Sequence, residues 1–324
     1  MRILIIGGAG MVGRKLAERL VKDARLGNRE ISGLALYDVV PPVAPAGAGF
    51  PVEIITGDLP AAGETDKLMA GRPDVVFHLA AIVSGEAEQD FDKGYRINMD
   101  GSRNLFESVR HAGHRPRVVF TSSIAAFGSP FPEVIPDDYV NTPLTSYGTQ
   151  KVIGELLLSD YTRKGFFDGV AIRLPTICVR PGKPNKAASG FFSNIMREPL
   201  AGQEAVLPVA ETVRHWHATP RAAVGFLLHA ATIDSERIGT RRALSMPGVT
   251  CTVGEQIAAL RKVAGDKVVA RIRREPDPVI MKIVEGWPRA FDTKRAIGLG
   301  FKAESTFEEI IKIHIEDELG GKIA

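Results

Sequence analysis

The stretch Ile3-Leu-Ile-Ile-Gly-Gly-Ala-Gly-Met-Val-Gly13 joins a short apolar run to glycines that recur every third residue. The apolar run, residues 3–6, predicts a parallel strand buried on both faces, because it is continuously hydrophobic and ends at glycine. Apolar residues on one face predict a helix directly afterwards, over about residues 12–22. Between a strand and a helix, glycines permit a tight turn, a close approach to a pyrophosphate, and close contact of helix with strand. The stretch therefore predicts a dinucleotide site, with contacts from Gly7, Gly10, Met11, Val12 and Gly13.

Asp38 ends the second predicted strand, residues 34–37, and follows Gly13 by 25 residues. A carboxylate at this point accepts hydrogen bonds from the adenosine ribose and repels a 2′-phosphate. This favours NAD over NADP. The alternative is a solvated aspartate at a strand end, and the basic neighbours of the glycine turn, Arg14 and Lys15, leave NADP open.

Later segments follow the alternation of strand and helix that is typical of α/β domains. Strands are predicted at residues 52–56, 75–79, 118–123 and 170–173, and a helix at 93–114. Because ligands of open α/β sheets lie at the carboxyl ends of the strands, we expect the cofactor at that edge. The further expected contacts are Asp58, Leu59, Leu79, Ala80, Ala81, Asn98 and Thr121. Asn98 either braces the active-site backbone or sits at a helix interface, and Ser84 either faces the substrate or caps a loop.

The segment Thr145-Ser-Tyr-Gly-Thr-Gln-Lys151 predicts a helix start at which Tyr147 and Lys151 share one face. A phenol has an ordinary pKa of about 10, so it acts as a base near neutral pH only beside positive charge. Lys151 supplies one charge, and an oxidised nicotinamide supplies a second. Ser123, at the end of a predicted strand, is expected to meet Tyr147 at the edge of the sheet and to hold the reacting oxygen. The alternative is a surface tyrosine and lysine on an amphipathic helix.

Length and composition narrow the class of protein. The 324 residues suit one large α/β domain with a smaller one attached. The net charge of +3 comes from interspersed charges without a basic block, which argues against nucleic-acid binding. Two cysteines do not make a disulfide framework and favour a reducing compartment. The first apolar run is too short for a signal peptide or a membrane span, so we expect a cytoplasmic protein that does not associate with membranes.

Basic residues of the second half are candidates for binding a substrate carboxylate. Arg180, Lys183 and Lys186 lie in a Pro/Gly-rich loop, which is either a solvated loop or a carboxylate site. Arg214 is a stronger candidate because the guanidinium fork matches a carboxylate with two hydrogen bonds. His215 and His217 lack a third ligand nearby in sequence, so no metal site is predicted.

The domain organisation follows from the order of the predicted elements. Thr219-Pro220 is typical of a helix start, and this helix is expected to return to the first domain. A helix at 252–263, a strand at 268–273 and a capping box at Ser305 are expected in a small lid. We predict an NAD-binding domain at 1–174 to which 214–245 returns, and an α+β C-terminal substrate lid at 175–213 and 246–324. Such a lid sets substrate choice and excludes water.

Several motifs together resemble the extended short-chain dehydrogenase/reductase family. They are Gly7/Gly10/Gly13, Asp38, Gly57-Asp58, His78-Leu-Ala-Ala81, Asn98, Ser122-Ser123, Tyr147-Gly-Thr-Gln-Lys151, Arg173-Leu-Pro-Thr-Ile177, Arg214-His-Trp-His217 and Leu299-Gly-Phe301. The resemblance implies an α/β fold with a Rossmann-type doubly wound parallel sheet, NAD as cofactor, and a homodimer formed through four helices. It also implies a catalytic triad of Ser123, Tyr147 and Lys151, with nicotinamide contacts from Pro175 and Ile177.

Departures from two branches of that family narrow the expected reaction. Dehydratases carry an acid pair where Ile124-Ala-Ala126 stands here, and nucleotide-sugar epimerases usually carry asparagine where Thr176 stands. Residues 173–185 and Val83-Ser-Gly-Glu86 are most similar to the D-erythronate dehydrogenases, which oxidise the 2-hydroxyl of a four-carbon sugar acid. Uronate dehydrogenases, a nucleotide-sugar 4-epimerase and an NAD-binding protein without turnover are the alternatives. The expected substrate contacts are Ser84, Ser123, Tyr147, Thr176, Arg180 and Arg214.

Overall fold

The computed structural model describes residues 1–182 and 188–324. Within these ranges the strands are, in chain order, β1 (Arg2–Ile6), β2 (Arg25–Leu26), β3 (Arg29–Glu30), β4 (Gly33–Asp38), β5 (Val52–Thr56), β6 (Val75–His78), β7 (Arg117–Ser123), β8 (Asp168–Leu174), β9 (Thr176–Ile177), β10 (Ala205–Leu207), β11 (Arg214–Ala218), β12 (Ala243–Ser245), β13 (Val249–Thr252) and β14 (Ile272–Arg274).

The helices of the same ranges are α1 (Met11–Asp23), α2 (Glu64–Ala70), α3 (Ser84–Gln89), α4 (Phe91–Gly94), α5 (Gly101–Ala112), α6 (Ser146–Arg163), α7 (Gly190–Leu200), α8 (Pro220–Thr232), α9 (Ser235–Ile238), α10 (Val253–Ala264), α11 (Asp266–Val269), α12 (Pro278–Glu285), α13 (Lys294–Gly298) and α14 (Phe307–Leu319). A π-helical turn, Tyr95–Asp100, joins α4 to α5, and a 3-10 turn, Ile124–Ala126, follows β7. In the described part of the chain, no helix has the length and apolar character that a bilayer crossing requires.

A seven-stranded parallel sheet in the order β12-β8-β7-β6-β1-β4-β5 forms the centre of the molecule. The first strand lies between β4 and β6, so the chain winds outward in both directions from β1. A crevice opens at the carboxyl ends of the strands where the winding direction reverses, and ligands bind at this point in open α/β sheets. The expected Rossmann-type doubly wound sheet is confirmed.

Two helical layers cover the sheet. On one face, apolar residues of α1 and α8, among them Leu16, Leu20 and Phe226, pack on Ile3 and Ile5. On the other face, residues of α2, α5 and α6 pack on Leu4, Ile6 and Val118. Because both faces are covered, the strands are apolar in nearly every position, which is why their run in the sequence is continuous rather than alternating.

A second core lies between elements from the later part of the chain. It is built by α7, α10 and α14 with a two-stranded sheet, β10-β14, and a three-stranded sheet, β13-β11-β9. Helix α8 packs in the first core and β12 joins the main sheet, whereas β11 belongs to the three-stranded sheet. Ala296, Leu299 and Phe301 also pack in the first core, although they lie within 246–324. The division into an NAD-binding domain and a lid stays a prediction.

Three local expectations differ from the structure. The segment predicted as a strand at 268–273 is in fact α11 followed by β14. Val268 and Val269 are buried, as a strand would require, but they belong to a short helix. The final helix is capped by Thr306, which accepts from Glu309 N, and not by Ser305. Ser84 is the first residue of α3 and does not lie in a loop. Each difference is a shift of a few residues at a boundary, where the local signal is weakest.

Candidate active site

The glycine turn between β1 and α1 has the geometry that a dinucleotide requires. Gly7 has φ +96°, and a Cβ placed there would lie 2.7 Å from Ala80 N. A Cβ on Gly13 would overlap the carbonyl oxygen of Gly7, so only glycine lets the helix approach the turn. Helix α1 begins at Met11 after Gly10, and in the described residues no side chain caps its first turn. Its N–H groups therefore face the crevice, as pyrophosphate binding requires.

Asp38 lies beside this turn at the end of β4. Its Oδ2 accepts from Ala9 N at 3.0 Å and its Oδ1 from Val39 N at 2.7 Å. The carboxylate is thus fixed against the turn, where a ribose bound to it would lie. Lys15, one of the two residues that left NADP open, forms an ion pair with Glu318 of α14.

The expected contacts Asp58 and Leu59 follow β5. Arg96 Nη1 lies 2.6 Å from Asp58 Oδ2, and both side chains are about half exposed. Leu59 is buried and packs in the core on the α5 side of the sheet. The contact of these two residues with an adenine ring stays a prediction.

Asn98 braces the segment after β6. Its Nδ2 donates to Ile82 O at 3.2 Å and its Oδ1 accepts from Ile82 N at 2.9 Å. The same Nδ2 lies 2.8 Å from Gln150 Oε1 of α6. The preceding residues Leu79 and Ala80 both donate their N–H groups to Ile6 O, so this segment runs along β1. Of the two interpretations of Asn98, bracing of the backbone beside Ala80 and Ala81 is the one that the contacts support.

The start of α6 brings Tyr147 to Ser123. Thr145 caps the helix through its Oγ1, which accepts from Gly148 N at 3.0 Å. A Cβ on Gly148 would overlap Ala125 O, so glycine allows the helix to lie directly on the turn after β7. The Ser123 Oγ accepts from Ala125 N at 3.1 Å, which leaves its own proton for donation.

Tyr147 lies in a protein environment that opposes its ionisation. Burial raises the pKa of the Tyr147 phenol, while a hydrogen bond with Ser123 and the charge of Arg180 lower it. Arg180 is therefore a cation whose charge acts on the phenol, an effect that was not expected from the sequence. The expected spatial proximity of Tyr147 and Lys151 is found, since Lys151 Nζ lies 5.6 Å from the centre of the Tyr147 ring.

Lys151 is buried and held in one position. Its Nζ donates to Thr121 O at 2.8 Å and lies 4.8 Å from the centre of the Phe120 ring. Burial lowers the pKa of Lys151 to about 8, while the carboxylate of Glu155, one helical turn further on, raises it. The ammonium thus lies at the carboxyl end of β7, between the sheet and the tyrosine.

Glu155 and Arg173 form a buried ion pair that the sequence analysis missed. Arg173 Nη2 lies 2.6 Å from Glu155 Oε2, and Nε donates to Oε1 at 2.9 Å. Ser122 donates to the same carboxylate at 2.5 Å, and Arg173 also donates to Asn141 Oδ1 at 3.1 Å. The only signal in the sequence was the four-residue step from Lys151 to Glu155, which places both on one helical face.

Arg180 is held between β9 and the residue that precedes α7. Its Nε donates to Ile177 O at 3.0 Å and its Nη2 donates to Ser189 Oγ at 3.0 Å. Arg214, by contrast, forms an ion pair with Glu255 at 3.2 Å and is about one-third exposed. Arg180, and not Arg214, is the arginine whose charge acts on Tyr147. Lys183 and Lys186 lie outside the described residues.

Thr176 lies just beyond β8, half-buried between the buried side chains of Pro175 and Ile177. Its Oγ1 is 2.7 Å from His215 Nε2, and His215 Nδ1 is 2.9 Å from Pro288 O. From the sequence, His215 was expected to matter only as a possible metal ligand. Across residues 1–182 and 188–324, no group of three or more His, Cys, Asp or Glu side chains is arranged to hold a metal ion.

Comparison with known proteins assigns the chain to a family. Residues 3–236 match the NAD dependent epimerase/dehydratase family. The chain is 47% identical to the D-erythronate dehydrogenase of Cupriavidus necator over 98% of both chains. It is 43% identical to the D-erythronate dehydrogenase of Haemophilus influenzae over 98% of this chain and 100% of that one.

A solved structure is also closely similar. The nucleoside-diphosphate-sugar epimerase from Agrobacterium tumefaciens has 67% sequence identity and a TM-score of 0.98, covering 100% of this chain and 96% of its own. The glycine turn, Asp38 and the Ser123–Tyr147–Lys151 arrangement are consistent with these matches. The protein therefore belongs to the NAD dependent epimerase/dehydratase family, within the extended short-chain dehydrogenases/reductases, and is an NAD-dependent oxidoreductase that acts on CH–OH groups.

Proposed function

We propose that this enzyme oxidises the 2-hydroxyl group of a small sugar acid, with D-erythronate converted to 2-dehydro-D-erythronate as the best-supported reaction. The observation that carries the proposal is the largely buried guanidinium of Arg180, which donates only to the neutral oxygens of Ile177 and Ser189 among the described residues and whose charge lowers the pKa of Tyr147. The names of the two relatives at 47% and 43% identity support the same substrate.

The charge on Arg180 favours an anionic substrate. Burial lowers the pKa of Arg180, whereas the thiol of Cys178 and the phenol of Tyr147 raise this pKa. Among the described residues no carboxylate acts on it, and residues 183–187 contain neither Asp nor Glu. A buried cation without a carboxylate is costly, and a bound anion removes that cost. A 2-hydroxy acid fits because its carboxylate and its reacting hydroxyl stand on neighbouring carbons.

The residues around the glycine turn fit NAD. The N–H groups at the start of α1 would hold the pyrophosphate, and Asp38 would hold the adenosine ribose. Pro175 and Ile177 would border the nicotinamide, as the family resemblance implies. When bound, NAD accepts the hydride from the carbon that carries the reacting hydroxyl.

Tyr147 acts in this proposal as the general base. Ser123 donates to the substrate oxygen, and Tyr147 removes the proton of the same hydroxyl. Because burial raises the pKa of Tyr147, positive charge around the phenol must offset it. Lys151 and Arg180 supply this charge, together with the oxidised nicotinamide.

A screen of substrates and cofactors tests the proposal. Purified protein is incubated with NAD or NADP and each of a panel of four- to six-carbon sugar acids, and NADH absorbance is followed. The proposal expects the highest kcat/KM for D-erythronate with NAD. A uronate as the best substrate would transfer the assignment to the uronate dehydrogenases.

The description of the 67%-identical structure as an epimerase makes a nucleotide-sugar 4-epimerase the second candidate. An epimerase returns the hydride, so it converts its substrate without net NADH. Redox-neutral conversion of a nucleotide sugar, with no NADH from any sugar acid, would therefore replace the proposed reaction. Absence of both activities in protein that binds NAD would indicate a binding protein without turnover.

We also propose that the enzyme is a homodimer in the cytoplasm. Leu156 in the middle of α6 is 66% exposed, and Phe91 of α4 is 57% exposed. Apolar side chains exposed on neighbouring helices favour burial against a second copy. Both cysteines are free and buried, in keeping with a reducing compartment. Light scattering of the wild type and of Leu156→Glu tests the dimer, which the charge should dissociate.

A further inference from the structure

His215 is a buried histidine whose two ring nitrogens have different partners. Nδ1 lies 2.9 Å from the carbonyl oxygen of Pro288, and Nε2 lies 2.7 Å from the hydroxyl oxygen of Thr176. A carbonyl oxygen only accepts hydrogen bonds, so Nδ1 carries the proton. Burial lowers the pKa of His215 to about 4, and the ring is neutral near pH 7.

The tautomer of His215 decides the role of Thr176. A neutral imidazole protonated at Nδ1 has a bare Nε2, which accepts a hydrogen bond. The hydroxyl proton of Thr176 therefore points to His215. Because a hydroxyl has only one proton, the remaining lone pair of Thr176 Oγ1 is left to accept from any other neighbour.

Thr176 borders the space in which the substrate reacts. It stands two residues after Leu174, the partner of Ser123 in the β7–β8 register. Arg180 is tied to the same segment, because its Nε donates at 3.0 Å to the carbonyl oxygen of Ile177, the residue after Thr176. Its charge acts on both Tyr147 and His215. A substrate held by Ser123 and Tyr147 at its 2-hydroxyl and by Arg180 at its carboxylate therefore presents its third carbon to the remaining wall.

We propose that His215 is a positioning residue that makes Thr176 an acceptor, and that Thr176 thereby selects substrates that carry a hydroxyl group on the carbon next to the reacting one. This inference rests on the proposed oxidation of a 2-hydroxy acid. A substrate hydroxyl on that carbon donates a hydrogen bond to Thr176 Oγ1. A carbonyl oxygen there would instead face the lone pair of Thr176 Oγ1, and a methylene group would leave this lone pair without a hydrogen-bond donor. The enzyme discriminates against such substrates because an unpaired polar group in the complex costs more free energy than a typical hydrogen bond contributes.

The test compares D-erythronate with its 3-deoxy analogue, 2,4-dihydroxybutanoate, in the full-length enzyme with NAD. Thr176→Val should lower kcat/KM for D-erythronate about 10- to 100-fold, mainly through KM, because the contact exists before the chemical step. The same variant should not lower kcat/KM for the 3-deoxy analogue, because it removes the oxygen that this analogue leaves unpaired. Thr176→Ser retains the hydroxyl and should retain the preference for D-erythronate.

His215→Phe tests the positioning role directly. Phenylalanine retains the stacking on Phe192, whose ring centre lies 5.2 Å from that of His215, but it frees the proton of Thr176. The preference for D-erythronate over the 3-deoxy analogue should fall by about tenfold, and adding Thr176→Val should reduce it no further. Thr250→Val is the matched control, because Thr250 lies in the same small sheet and donates to Arg289 O at 2.8 Å.

A spectroscopic readout separates the tautomer from activity. Long-range 1H–15N spectra of the wild type should show His215 protonated at Nδ1 alone. Protonation at Nε2, an unchanged preference in His215→Phe, or equal losses on both substrates in Thr176→Val would overturn the inference while leaving the oxidation of sugar acids intact. A wild-type enzyme that forms no NADH from any sugar acid would overturn the proposed function and the inference with it.

Discussion

Two cations are near or act on the phenol of Tyr147, the buried Lys151 and the largely buried Arg180, and they differ in the carboxylates that surround them. Lys151 lies on the sheet side, donates to Thr121 O, and is within reach of the carboxylate of Glu155. Arg180 lies beside α7 of the second core, and its Nε donates to Ile177 O. Cys178 and Tyr147 favour its charged form, whereas the charge of Arg197 opposes it. Lys151 thus shares the carboxylate of Glu155 with Arg173, whereas no carboxylate of the described residues acts on Arg180, whose charge suits a substrate anion.

This difference separates two tasks. Glu155 also binds Arg173, so removal of either partner would leave a buried charge in the centre of the molecule. The sheet side therefore holds Lys151, the proposed catalytic lysine, in a fixed structure. Arg180 is held mainly by neutral oxygens, so its charge remains directed at the reaction space. Substitutions on the two sides should affect stability and substrate binding differently.

The largest effect is expected for Tyr147→Phe, which removes the base between the two cations. Loss of general base catalysis should lower kcat by about 10³-fold. The fold and NAD affinity should be retained, as measured by circular dichroism and NADH fluorescence titration. Normal turnover in the folded variant would contradict the role of Tyr147 on which the comparison depends.

Glu155→Gln should mainly reduce stability, because it leaves the buried guanidinium of Arg173 without its carboxylate. The free energy of unfolding in urea should fall by about 3–5 kcal/mol. Glu255→Gln is the control, since its partner Arg214 is partly exposed and glutamine retains the cap of α10. This control should change stability by less than about 1 kcal/mol. Equal losses of unfolding free energy in both variants would show that the buried Glu155–Arg173 pair contributes no more to stability than the partly exposed Glu255–Arg214 pair.

Arg180→Met should mainly reduce substrate binding. KM for the sugar acid should rise about 100-fold, as expected for the loss of a charged hydrogen bond, while stability stays the same or increases. Arg180 lowers the pKa of Tyr147, so its removal raises that pKa. The base form then appears at higher pH, and the rising limb of the kcat profile should move upward.

Arg214→Met is the control for this variant, since Arg214 pairs with Glu255 and does not act on Tyr147. It should change KM by less than about threefold. A larger loss of substrate affinity in Arg214→Met than in Arg180→Met would transfer the carboxylate site to Arg214.

The smallest effects are expected for two helix caps, one on each side. Thr145→Ala and Thr306→Ala should each lower the free energy of unfolding by about 1 kcal/mol. Only Thr145→Ala should also lower kcat, because α6 carries Tyr147 and Lys151 from this cap onward. An equal loss of activity in Thr306→Ala would show that the second core, to which α14 belongs, contributes to positioning the proposed base.

The sheet side was predictable in detail because its signals are local. A continuous apolar run, glycines at the turn, and a tyrosine four residues before a lysine each act within a few residues of chain. The elements of the second core and their charged residues were predicted less well. The strand predicted at 268–273 is a helix and a strand in turn, and Arg214, the stronger candidate for the carboxylate, pairs with Glu255. Short strands and long loops carry little periodicity, so tertiary packing decides them.

The sequence by itself determined the nucleotide-binding fold, the cofactor and the proximity of Tyr147 to Lys151, because these follow from backbone periodicity and from glycine's lack of a side chain. Only the tertiary structure decided which arginine acts on the tyrosine, which carboxylate pairs with Arg173 and also acts on Lys151, and which tautomer His215 adopts. These depend on side chains far apart in the chain. Burial strengthens their electrostatic interactions, and no local pattern records which groups are buried together.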